Sequence, residues 1–440
     1  MVLPLLPLLG CYAPHQPILP DEGSDGTTSG LDSGTDAGTA SASTGATDSA
    51  TAGDSTSEDA TESSTSSETT GADDPCGNGV VEADEDCDDG NNVNGDGCNN
   101  DCVHSGKVLW TIDFVEGYEV PDEFAPSSGL VPDQVAVAPD GTVAVAHRIL
   151  SGGNAGVLVG ELDPADGGIH WTATIASASP GDQFYAVGLN ASDALVVVCG
   201  VEVADDFTGF VHAYYPDGIL VWTDESSTPG SGFVDCDILP GGDVITLNVE
   251  ANETSVRRYQ GEDGSLMWSA GDDPRQPFSL ARRHDGLISI AVRDPTALLR
   301  FDENGAQQST LDLALTSTVG VATGPDASEY VASASFPPLT VRRYDSSSLM
   351  WERSSEAVGL GAIAVDSVGA AIVAGTDNDD IWVRKFSPDG EELWTATHAG
   401  NAGDIDFATS VAVGDDDTIV VGGNVITTDG ERSWVRKYAP

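Results

Sequence analysis

The sequence predicts an all-β chain whose main body, residues 107–440, is a seven-bladed β-propeller. Three observations carry that expectation: a hairpin repeated seven times, a fourth strand marked by Trp after most repeats, and a last repeat that stops one strand short. Self-similarity at a fixed period of about 48 residues is the signature of a ring or solenoid of small sheets.

The hairpins run Val135–Ala146, Tyr185–Val198, Phe233–Leu247, Phe278–Ala291, Val319–Ala332, Ala362–Ala374 and Ser410–Gly422. Each alternates apolar and polar residues on both sides of a turn built from Asp, Gly or Asn, the pattern of antiparallel strands with one buried face. A third strand follows each hairpin: VGEL at 159, VHAY at 211, VRRY at 256, LLRF at 298, VRRY at 341, VRKF at 383 and VRKY at 435. Five fourth strands carry Trp171, Trp222, Trp268, Trp351 and Trp394, and the fourth blade has Leu311 in that place. The seventh repeat ends at Pro440 without one, while Val108-Leu109-Trp110-Thr111-Ile112 stands spare at the front and matches Leu393-Trp394-Thr395. Residues 107–114 are therefore expected to complete the last blade, leaving no unpaired edge. An eight-bladed ring would need a further hairpin, for which the connection 113–134 is the place.

Nine of the 17 basic residues share one repeat position: Arg257, Arg258, Arg300, Arg342, Arg343, Arg384, Lys385, Arg436 and Lys437. A third strand is packed between neighbouring blades, where a long basic side chain can bury its stem and meet a carboxylate. Interblade ion pairs are the expectation, with an anion-binding ring as the alternative. Cys199 ends one strand and Cys236 begins another on the same face, so a disulfide or two buried thiols are both open.

Ahead of the repeats come three short compositions. Residues 1–11 are an apolar run ending in Gly10-Cys11, too short to span a bilayer. Residues 12–75 read as a disordered tether: from 21 to 74 they are Ser, Thr, Gly, Ala, Asp and Glu with a single larger apolar residue, Leu31, too polar to bury a core. Residues 76–106 hold Cys76, Cys87, Cys98 and Cys102 in a Gly/Asn/Asp-rich setting that needs covalent staples. Their spacing differs from paired C-x-x-C knuckles, which favours disulfides over a four-Cys zinc site. Asp88, Asp89, Asn91, Asn94 and Asp96 are hard oxygen donors suited to a calcium loop, solvated turn chemistry being the plainer reading. An EF-hand fails, because its twelfth position would be Val103.

Several segments resemble known families. Leu8-Leu9-Gly10-Cys11 resembles the bacterial lipobox, which implies that Cys11 is acylated and anchors the chain. The string CGNGVVE…CDDGNNVNGDGC…C resembles the myxo-type disulfide-rich repeat of exported bacterial proteins. WVRKFSPDGEELWTATHAGNAGDIDFATSVAVGDDDTIVVGG resembles propellers of the SBBP and delta-60 type, and ELDPADGGIHW is similar to a PQQ-type blade. These resemblances imply an exported lipoprotein at the outer membrane or cell surface.

The chain carries 72 acidic and 17 basic side chains, a net charge of −55, and residues 1–106 contain 21 acids and no Lys or Arg. Such an excess excludes nucleic acid and disfavours anionic lipid as a partner, since both need a cationic face. No P-loop, G-x-S-x-G elbow, H-E-x-x-H or C-x-x-C occurs, and the seven His form no ligand pair. The expectation is a monomeric, non-enzymatic scaffold for a protein or glycan partner, with no certain cofactor beyond a candidate calcium. The alternatives are a periplasmic quinoprotein-like enzyme and a propeller scaffold of outer-membrane assembly.

Overall fold

The computed structural model describes residues 76–440 apart from residues 84, 114–133, 152–153, 177–182, 204–206, 226–230, 251–252, 316–319, 335–338, 356–358, 378–379, 399–405 and 428–429. Cys11, the tether and the connection 114–133 lie outside the described residues. Among those described there is no α-helix, and seven antiparallel sheets of four strands each are formed. Six blades are continuous in sequence: residues 134–176, 183–225, 231–273, 276–312, 320–355 and 359–398. The seventh takes three strands from residues 407–438 and its outer strand from Val108–Asp113. The closure strand is therefore where the spare repeat element placed it, with Thr111 opposite Arg436 and Ile112 opposite Val435.

The first strand of every blade lies nearest the axis and the fourth at the rim. Between blades the buried faces interlock: Ala146, Val157 and Val159 of the first blade pack with Leu189, Val196 and Val198 of the second. At the inner ring a side-chain oxygen of one blade takes a backbone N–H of the next. Ser410 accepts from Val135 N at 3.1 Å, Asp235 from Leu280 N at 2.9 Å and Ser279 from Val321 N at 3.5 Å.

At the rim all seven outer strands carry one extra residue before the Trp position: His170, Val221, Met267, Gln308, Met350, Leu393 and Leu109; in the fourth blade that position is Ser309, opposite Arg300, and not Leu311 as expected, because Leu311 lies two residues further along, opposite Leu298. A bulge of this kind re-aims the side chains that follow it. The next residue turns inward, and the tight turn of the following blade settles on it. Trp171 lies under Gly218, Trp222 under Gly264, Trp268 under Gly305 and Trp351 under Gly390, so close that a Cβ on any of these glycines would fall within 3 Å of the ring.

The seventh blade has no such turn, because its third and fourth strands come from opposite ends of the sequence. Gly106 takes the place. Its φ is +72° and a Cβ there would lie 2.9 Å from Trp394. Gly106 N donates to Ala439 O at 3.2 Å, and Ala439 N donates to Lys107 O at 2.8 Å, as Gly218 N does to Tyr215 O and Tyr215 N to Ile219 O inside an ordinary turn. The small Cys-rich module thus ends as a piece of the propeller, and Gly95 of the same module rests against the Lys385 ammonium.

Candidate functional site

The repeated basic position is a lattice at the blade seams, and its ion pairs differ from those expected. Most are made within one blade. Arg258 donates Nε and Nη2 to Asp243 at 2.9 and 2.7 Å, Arg343 reaches Asp326 at 2.6 Å, Arg342 reaches Glu352 at 2.7 Å and Lys385 lies 3.0 Å from Asp366. Arg257 pairs with Glu250, and Arg384 lies 3.5 Å from Glu392. The carboxylates of Asp243, Asp326 and Asp366 sit in the turn joining a blade's own first two strands. That turn faces the third strand across one hydrogen-bonded neighbour, so it is nearer than any acid of the next sheet.

What crosses most seams is hydrogen bonding to carbonyls. Arg258 Nη1 donates to Glu303 O at 2.9 Å, Arg343 Nη1 to Pro388 O at 2.7 Å and Lys437 Nζ to Pro164 O at 3.2 Å. The Trp indoles use the same acceptors: Trp268 reaches Glu303 O at 3.0 Å, Trp351 reaches Pro388 O at 2.7 Å and Trp110 reaches Pro164 O at 3.0 Å. Arg436 Nε donates to Thr111 Oγ1 at 2.9 Å, tying the closure strand to its neighbour.

Among the described residues, ion pairs cross seams at two places. One is the long contact of Arg257 with Asp224, 3.9 Å. The other is buried. Glu329 of the fifth blade is fully enclosed, and its carboxylate takes Arg300 Nε at 2.9 and 3.1 Å, Arg300 Nη2, Arg283 Nη1 at 3.2 Å and the Ser289 hydroxyl. Arg300 and Arg283 are 4% and 8% exposed. Sequence reasoning found Arg300 through its repeat position and missed Glu329, which has no counterpart in the other repeats to mark it.

In the Cys-rich module the disulfides are Cys76–Cys102 and Cys87–Cys98, with Cα separations of 5.5 and 5.8 Å. Cys199 and Cys236 are also bonded, at 6.3 Å between Cα atoms, joining the second blade to the third. The candidate calcium donors are engaged in hydrogen bonds, four of the five with backbone N–H groups. The Asp88 carboxylate accepts from Gly77 N, Asn78 N, Gly79 N and Gly90 N at 2.7–3.0 Å. Partial desolvation raises its pKa, and these four N–H groups outweigh it and hold the group below the usual carboxylate range. Asp89 accepts from Cys98 N, Asn91 from Val93 N and Asn94 from Asn100 N, while Asp96 takes the Asn91 amide. Among the described residues, the carboxylates close enough to hold a metal together are Glu82, Glu85 and Asp88, a different grouping from the five-donor loop.

Histidines fall in separate places. His147 is buried and pushed down to about 4 by desolvation, as is His212, so both are neutral near pH 7. His170 is raised, first by its hydrogen bond to Glu161 at 3.2 Å. Near the axis, burial pushes Asp235 up to about 7, against the pull of the Leu280 and Cys236 N–H groups and with help from the charge of Asp237. Asp237 is raised as well, chiefly by burial, and accepts from the Asn190 amide at 2.9 Å.

No protein-family model matches the chain. No curated protein matches it either. Among solved structures it is similar to BamB from Moraxella catarrhalis, at 15% sequence identity and a TM-score of 0.40, over 75% of this chain and 97% of that one. A propeller specifies a frame and leaves the activity to its sites.

Proposed function

We propose that the chain is an exported, non-enzymatic scaffold, attached to the envelope through a lipid on Cys11 and presenting its propeller to a partner. The observation that carries export is the Cys199–Cys236 disulfide inside the propeller, together with two more in the adjoining module. Disulfides of this number belong to an oxidising compartment. The scaffold reading is supported by where the polar groups go. The basic side chains of the repeat are engaged at seams, the described His stand apart, and among the described residues no pair of titratable groups is poised beside a cleft as a nucleophile and its base.

Attachment is tested by fractionating cells that express the full chain and its Cys11→Ala variant. The variant is expected in the soluble envelope fraction, and continued retention by membranes would remove the lipid from this reading. Addition of pyrroloquinoline quinone and calcium, followed by an assay for dye reduction with alcohols and aldoses, tests the scaffold reading. Turnover would replace it with the quinoprotein-like alternative.

A further inference from the structure

The outer-strand bulge has a consequence at the surface. In the third and fifth blades it leaves two successive large apolar residues exposed just after the turn, Leu266 with Met267 and Leu349 with Met350, and in the second blade Leu220 is exposed beside Ile219 of the turn. The second and third blades have the densest group: Tyr215, Ile219, Leu220, Leu266 and Met267, each between 47% and 59% exposed. The two blades are continuous here, because Gly264 of the third blade's turn sits on Trp222 of the second blade's outer strand. The fourth blade interrupts the band with Gln307 and Gln308 at the same positions. The fifth resumes it with Leu349 and Met350.

The charge around this group has one sign. Asp217, Glu262 and Asp263, in the turns that carry the apolar residues, are exposed. The bases of these two blades are spent elsewhere: Arg257 and Arg258 on seam carboxylates, and Arg275 on Asp273 at 2.7 Å. Among the described residues with a defined exposure, the exposed bases are Lys107, Arg282 and Arg353, none of them in these blades. A patch of apolar side chains framed by exposed carboxylates with no cation beside them repels anionic lipid and acidic protein, and it complements a segment that alternates basic with apolar residues.

We infer that the rim of the second and third blades is a docking surface for a cationic amphipathic polypeptide segment. This deepens the scaffold reading and rests on it in taking the partner to be a polypeptide. Apolar contact supplies the affinity, and the carboxylates orient the segment and select its charge.

The probe is a fluorescein-labelled 14-residue Lys/Leu peptide, titrated against the full chain in 0.15 M salt by fluorescence anisotropy. A Lys/Ser peptide of equal charge is run beside it. The Lys/Leu peptide is expected to bind at least tenfold more tightly. The double variants Ile219→Ser/Leu220→Ser and Leu266→Ser/Met267→Ser should each weaken it at least tenfold without moving the melting temperature. Leu349→Ser/Met350→Ser, across the Gln interruption, should leave it unchanged. Equal binding of both peptides, or full affinity in the second- and third-blade variants, would overturn the inference by showing that bulk acidity alone is at work. A concentration-dependent dimer abolished by the same variants would also overturn it, assigning the face to a second copy. Quinone-dependent turnover would sink the scaffold reading by a separate measurement.

Discussion

Replacement of Glu329 by Ala should be among the most damaging single changes in the propeller. The carboxylate is fully enclosed and is the acidic partner of Arg300, which is 4% exposed and, among the described residues, otherwise donates to Ser309, the Ser346 carbonyl and Ser347. Arg283 keeps Asp285 at 2.8 Å, so one cation is left buried without a counter-charge. Breaking a buried pair in this way costs about 3–5 kcal/mol, most of it the desolvation of the orphaned ion. At about 2 °C per kcal/mol for a domain of this size, the melting temperature should fall by about 8 °C. The control is Glu352→Ala, which removes a carboxylate 43% exposed from Arg342 and should cost about 0–1 kcal/mol. Calorimetry on the three proteins decides it. Equal shifts for the two variants would refute the reasoning. Pairing Glu329→Leu with Arg300→Met should recover most of the loss, since burying neither ion is cheaper than burying one.

Other changes test the inner ring, the closure and the staple. Burial pushes Asp235 from the ordinary 3.8 up to about 7, so its contribution to stability is full below about 4 and is lost as pH rises through 7. Asp235→Ser, which copies Ser279 and Ser410 at the same repeat position, should flatten the fall in melting temperature between pH 4 and 8. An unchanged profile would clear Asp235 of that role. Gly106→Val should lower the melting temperature more than Gly242→Val, because both have positive φ but only Gly106 lies against a ring, and urea melts of the two would show it. The Cys199→Ala/Cys236→Ala pair opens a 37-residue loop and should cost about 4 kcal/mol on chain entropy. Two free thiols mapped to residues 107–440 in unfolded, unreduced protein would contradict the bond itself.

The blades were legible because their signals are local. Alternation over a few residues, Asp-Gly turns and a recurring Trp mark strands and their order, and a missing outer strand at one end with a spare at the other closes the ring. The basic strand was legible as a repeat position for the same reason. Its partners were not. Whether Arg258 meets an acid of its own sheet or of the next depends on turns that approach only when seven sheets pack, and Asp243 is one of many Asp in turns. Cys199 and Cys236 pose the same problem, since sequence allowed a bond or two thiols and the distance between adjacent blades decided.

By itself, then, the sequence determined the all-β class, the seven repeats, the closure strand and the acidic excess of 72 over 17, all properties of composition and short-range pattern. Tertiary structure alone decided the buried Glu329 triad, the substitution of Gly106 for a missing turn, the occupation of Asp88 by four N–H groups and the apolar rim of the second and third blades. Each of these rests on groups made neighbours by packing, and local pattern carries no information about that distance.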